Sequence, residues 1–105
     1  MDIRYVKKSL KKFLDALPKK IKIEKVILYG SIVRKQAKYA NDIDVLIVSD
    51  SFRKWDEDKR LDTLYKASRF IEPEIHPWGV TKNEWESASK YSLIGQARTN
   101  GISII

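Results

Sequence analysis

Hydrophobic and polar positions along the chain follow two periods. Over residues 3–17, apolar side chains recur at Ile3, Val6, Leu10, Phe13, Leu14 and Leu17, while Lys7, Lys8, Lys11 and Lys12 occupy the opposite positions. Steps of three and four predict an amphipathic helix, ended by Pro18. Two short β-branched runs follow, at residues 26–29 and 43–48, each bounded by turn or charged residues. Their brevity and composition predict buried strands, the first reaching back to Ile21. Residues 49–53 read as a polar break. A helical pattern returns over residues 55–70, with Leu61, Leu64, Tyr65, Ala67 and Ser68 expected to face inward. Its acid-rich first turn suits the positive end of a helix dipole. Residues 70–80 read as extended, because Pro73 and Pro77 forbid a stable helix and point to an edge strand. Thr81 and Glu84 have the spacing of a capping box, opening a helix through Trp85, Ala88, Tyr91 and residues 94–97. Asn100-Gly101 then makes a turn before a short last strand over residues 102–105. The expected order is αβαβαβαβ, an α/β (α+β) fold in which helices pack on a small mixed sheet of three to four strands.

Candidate chemistry lies between the first two strands. Gly30-Ser31 comes first, then a predicted helix over residues 32–38, then Asn41-Asp42-Ile43-Asp44. On a strand, Asp42 and Asp44 point to one face. Two carboxylates side by side repel unless a cation sits between them, and hard oxygen donors suit a hard divalent metal. Gly30 permits close backbone approach to a ligand, and Ser31 offers a hydroxyl and free N–H groups to a phosphate. The two sites meet only if the strands run antiparallel. The plainer alternatives are an ordinary turn with an N-cap, and a charged strand start without metal.

Gly30-Ser31, ten intervening residues and Asp42-x-Asp44 resemble the signature of nucleotidyltransferases of the DNA polymerase β superfamily. The short chain resembles the minimal nucleotidyltransferases of prokaryotes. Arg34 and Ala37 fit the family's Gly-Ser-x-x-Arg-x-x-Ala run, whereas Lys35 stands where the family often has glycine. The resemblance implies three carboxylates and two Mg²⁺ ions, with Mn²⁺ as an alternative, transferring an NMP from an NTP to a hydroxyl acceptor. Asp42 and Asp44 map onto the first two acids, and Gly30, Ser31 and Arg34 onto the nucleotide-binding positions. Arg34 on a helix surface would have a purely structural reading. The third acid belongs on the following strand. There Glu72, Glu74 and His76 alternate and could share a face, with Glu74 the preferred ligand and Glu72 and His76 the alternates. Mg²⁺ favours carboxylate oxygen over imidazole, so His76 reads first as a polar strand residue or pocket wall. The small size implies a partner chain supplying the acceptor. In this family that chain is often a small helical HEPN protein, paired as toxin with an antitoxin that in some cases transfers AMP from ATP. A binding module of the same fold, with weak or no catalysis, is the alternative.

Composition narrows the remaining classes. One small domain over residues 1–105 is expected. The absence of cysteine excludes disulfides and thiolate metal sites. No apolar run approaches membrane-spanning length and the N-terminus lacks a signal-peptide pattern, so a cytoplasmic protein is expected. The net charge of +7 is concentrated in residues 1–25, which hold nine basic against three acidic residues. A solvated helix face explains this, as does attraction to a polyanion, so nucleic acid is kept as a partner and a basic RNA-binding domain as a third reading. Self-association also stays open.

Overall fold

The computed structural model describes residues 3–34 and 42–105. Helix α1 (Ile3–Ala16) leads to strand β1 (Lys25–Tyr29), a short helix α2 (Ser31–Arg34) and strand β2 (Asp42–Val48). A 3₁₀ turn (Asp50–Phe52) precedes α3 (Glu57–Ser68) and β3 (Glu74–Val80). Helices α4 (Lys82–Ser87) and α5 (Leu93–Asn100) and the two-residue strand β4 (Ile102–Ser103) complete the order. The sheet runs β3-β2-β1-β4. Strand β1 is antiparallel to both β2 and β4, while β2 and β3 are parallel, so the expected mixed sheet is present.

Strand alternation sends odd and even residues of β2 to different layers. Ile43, Val45 and Ile47 join Val6, Leu10 and Phe13 of α1, Leu17 just beyond it and Leu64 of α3 in one core. Leu46 and Val48 face the other way, against Ile27, Val80, Trp85 and Ala97 beneath α4 and α5. Among the described residues, this second layer packs against the far half of the face, and the other half carries Asp42 and Asp44. Pro77 lies in β3 at the margin of the sheet, where a missing ladder donor is tolerated.

Several boundaries differ from those read from periodicity. Strand β1 starts at Lys25 rather than Ile21, because the Lys22 backbone is engaged by serine side chains: its N–H donates to Ser51 Oγ and its carbonyl accepts from Ser49 Oγ. The polar stretch at residues 49–53 hides a wholly buried Phe52, packed edge-on against Trp55. Helix α3 begins only after Asp56, whose carboxylate caps it by accepting from the Lys59 N–H. Its buried stripe is Arg60, Leu64 and Ala67, so Leu61 (47% exposed) and Tyr65 (39%) do not face the core as expected.

The capping box at Thr81 and Glu84 forms as expected. The single helix expected beyond it is instead two. Ala88 is extended, and Ser92 caps a fresh start by accepting from the Gly95 N–H. Arg98 holds the break together, donating to the carbonyls of Trp85 (2.6 Å) and Ala88 (2.9 Å) that α4 leaves unpaired. Gly95 permits the fold-back, since a Cβ there would collide with the Ser89 carbonyl. The 32–38 helix is described from Ser31 to Arg34; Lys35, Ala37 and Asn41 lie outside the described residues.

Candidate active site

Tyr29 ends β1, and Gly30 turns the chain with φ of +77°, a conformation that costs a residue bearing a Cβ about 1–2 kcal/mol. A Cβ at this position would lie 2.5 Å from Asp44 Oδ2. The glycine thus serves two purposes: it allows the turn into α2, and it leaves room for the Asp44 carboxylate. Ser31 opens α2, whose Val33 N–H donates to the Gly30 carbonyl. Ile32 is buried and anchors this turn to the core. Arg34 closes the described part of α2, and its side chain lies outside the described residues.

Register lines up the rest. Tyr29 is opposite Asp44 across the antiparallel pair, Asp44 is opposite His76 across the parallel pair, and Asp42 is opposite Glu74. These residues share the second face, while Ile43 and Ile75 between them are fully buried on the other. Asp42 and Asp44 are both half-buried, side by side and next to Gly30-Ser31, which is the antiparallel arrangement the spacing required.

The third candidate sits differently. Glu74 has a side chain 73% exposed, with Oε1 3.8 Å from His76 Nε2. His76 lies closer to the aspartates: its Nε2 is 3.3 Å from Asp42 Oδ2, and its Nδ1 is 3.4 Å from the Tyr65 hydroxyl. Imidazole is therefore held between α3 and the Asp42 carboxylate. Glu72 precedes β3 and so is not in the alternating row; its carbonyl accepts from Ser9 Oγ of α1.

Donor chemistry decides which ion these groups suit. Two half-buried carboxylates beside a backbone without a Cβ offer hard oxygen and room, which fits Mg²⁺ or Mn²⁺ rather than a soft metal. Among the described residues, no three acidic, histidine or cysteine side chains converge on one ion position. The pair therefore fits a divalent cation as two of its ligands, and the remaining coordination would come from Glu74 by a side-chain rotation, from substrate phosphate or from water.

Two contributors had not been picked out from the sequence. Tyr29 has its phenol pushed up to about 12, first by burial, then by the negative charge of Asp44 and by Tyr65. It stays a neutral hydroxyl. Beyond it, toward α5, a cavity of about 350 Å³ is lined by Tyr29, Gly30, Val33, Asp44, Leu93, Gln96 and Asn100, among others. The alternation Ile27, Tyr29 along β1 could have placed Tyr29 on this face. Gln96 and Asn100 carry no comparable mark, since amides on an exposed helix turn are ordinary surface residues.

A model of the nucleotidyltransferase domain matches residues 10–96, from the middle of α1 to α5, and so includes the Gly-Ser turn, the paired aspartates, Glu74 and His76, but not Asn100. No curated protein and no solved structure gave a significant match. With the match spanning most of its length and the paired aspartates set beside the Gly-Ser turn, the chain belongs to the polymerase β-like nucleotidyltransferase family, whose reaction is the transfer of a nucleoside monophosphate.

Proposed function

We propose that this domain transfers AMP from ATP to a hydroxyl group on a partner protein, as the antitoxin-type subunit of a HEPN/minimal-nucleotidyltransferase pair. The observation that carries the reading is the placement of Asp42 and Asp44 on one strand face beside a Cβ-free turn. Asp42, Asp44 and Glu74 are assigned as the residues that hold two Mg²⁺ ions. When bound, the ions neutralise phosphate charge at the reacting centre and at the departing pyrophosphate. Gly30 and Ser31 hold the triphosphate through backbone and hydroxyl groups, and Arg34 offsets its charge. The acceptor oxygen forms a bond to the α-phosphorus as the bond to the bridging oxygen breaks. Pyrophosphate leaves with that electron pair, and the hydroxyl proton passes to water on the open side of the sheet. The partner's role rests on the resemblance to minimal nucleotidyltransferases, which are often paired with a small helical protein.

The test combines binding, stability and transfer. Asp42→Asn and Asp44→Asn should each abolish the rise in melting temperature produced by Mg²⁺ with ATP, while leaving the apo protein folded. Glu74→Gln should spare that rise and lose transfer. If an aspartate variant unfolds while the wild type gives no metal response, the pair is structural. One observation favours a second reading, a binding module of the same fold: the Glu74 carboxylate is turned toward His76 and is largely exposed. Transfer that is absent with the partner present, while Mg²⁺ with ATP still binds, would select that module.

A further inference from the structure

The second face of the sheet is divided by Asp44. On the β3 side stand Asp42, Glu74 and His76; on the α5 side lies the 350 Å³ cavity, which shares Gly30 and Asp44 with the phosphate end of the site. That volume is near the lower end of the roughly 300–1,000 Å³ typical of small-molecule pockets, enough for one compact group rather than for two substrates. Its flanks are apolar at Val33 and Leu93, suited to the faces of a flat ring. Its rim on α5 carries Gln96 and Asn100, four residues apart and hence stacked on one helix face. Among the described residues, Asp44 is the sole charged one lining the cavity.

We propose that this cavity is the nucleoside subsite, and that Gln96 and Asn100 select adenine there. The inference rests on the nucleotidyl-transfer reading above and adds to it the residues that choose the base. A carboxamide presents one donor beside one acceptor, which matches the amino group and adjacent ring nitrogen of adenine. The corresponding edge of guanine offers two acceptors and calls for arginine or lysine, and neither lines the cavity among the described residues. Seated this way, the nucleoside brings its α-phosphate to the aspartate pair from the α5 side. The β3 side is then left open to the acceptor hydroxyl.

Both amide residues are exposed, so their substitution should leave the fold intact. The experiment measures Mg²⁺-dependent binding of ATP, GTP, CTP, UTP and inorganic tripolyphosphate to the full chain and to Gln96→Ala and Asn100→Ala, with urea midpoints as a check on folding. Wild type should prefer ATP, and each substitution should weaken ATP binding by about tenfold while leaving tripolyphosphate binding unchanged. A different preferred base, or ATP affinity indifferent to both substitutions, overturns the adenine subsite alone. If neither ATP nor tripolyphosphate binds, the nucleotidyl-transfer reading falls and takes this inference with it.

Discussion

Substituting Gly30 by alanine tests whether the turn and the aspartate are one device. The new Cβ meets two obstacles. Its φ of +77° costs an L-residue about 1–2 kcal/mol, partly offset by the roughly 0.4–1 kcal/mol that alanine removes from the unfolded chain's entropy. It would also stand 2.5 Å from Asp44 Oδ2 and 3.2 Å from Asp44 Cγ, so the carboxylate must swing aside at an off-rotamer cost of about 0.5–1.5 kcal/mol. The total is a destabilisation of about 0.5–3 kcal/mol, or roughly 2–20 °C in melting temperature for a domain of this size. Urea denaturation of wild type, Gly30→Ala, Asp44→Ala and the double variant separates the two contributions. Removing the Asp44 carboxylate relieves the clash, so Gly30→Ala should cost about 0.5–1.5 kcal/mol less in the Asp44→Ala background. Magnesium-dependent ATP binding should meanwhile fall at least as far as in Asp44→Asn. Strict additivity across the cycle, or ATP binding at wild-type strength by Gly30→Ala, would refute the coupling.

Two further changes probe the frame around the site. Arg60 is a buried cation (8% exposed) whose Nη1 is 2.7 Å from Glu84 Oε1. Burial alone would raise the Glu84 carboxyl, but hydrogen bonds from the Thr81 N–H and Arg60 outweigh it and hold the group below its usual range. Its stabilisation is thus full above the unfolded carboxylate value of about 4.3 and is lost as pH falls through the lower folded value. Glu84→Gln should cost about 1–2 kcal/mol at pH 7, after allowance for the exposed side of the carboxylate, and the gap should close in acid. A melting-temperature gap that is flat from pH 7 down to acid would contradict this. Phe70 has φ of +63° and a fully exposed side chain, so Phe70→Gly gives up no core contact and relieves the backbone. Thermal melts should show a net gain of about 0.5–1 kcal/mol, and any loss would mean that the aromatic ring is packed.

The strand pattern was legible because the sheet has two faces of opposite character. Ile43 and Val45 had to turn inward, which fixed where Asp42 and Asp44 point, and the Gly-Ser turn then had to meet them. Local propensity could not show the break between α4 and α5. That break depends on Arg98 reaching back ten and thirteen residues to carbonyls, and on Gly95 packing against Ser89. Helix α3 misled for a related reason: periodicity favoured Leu61 and Tyr65, but the stripe under the helix is completed by a guanidinium neutralised by a distant glutamate. Which of Glu72, Glu74 and His76 share a face depended on where β3 begins: the strand starts at Glu74, which puts Glu74 and His76 in the row and leaves Glu72 before it.

The β3 border of the sheet limits how this domain can meet other proteins. Along β3, Pro77 withholds an amide donor, so an incoming segment cannot complete a continuous ladder there. At the opposite border β4 comprises Ile102 and Ser103, and pairing to Val26 is carried on by the Ile104 N–H and the Ile105 carbonyl. Growth of the sheet by a second copy or by an extended peptide is therefore disfavoured along β3. A partner that docks on that border recognises side chains rather than backbone, so its choice can be redirected by surface substitutions that leave the sheet untouched.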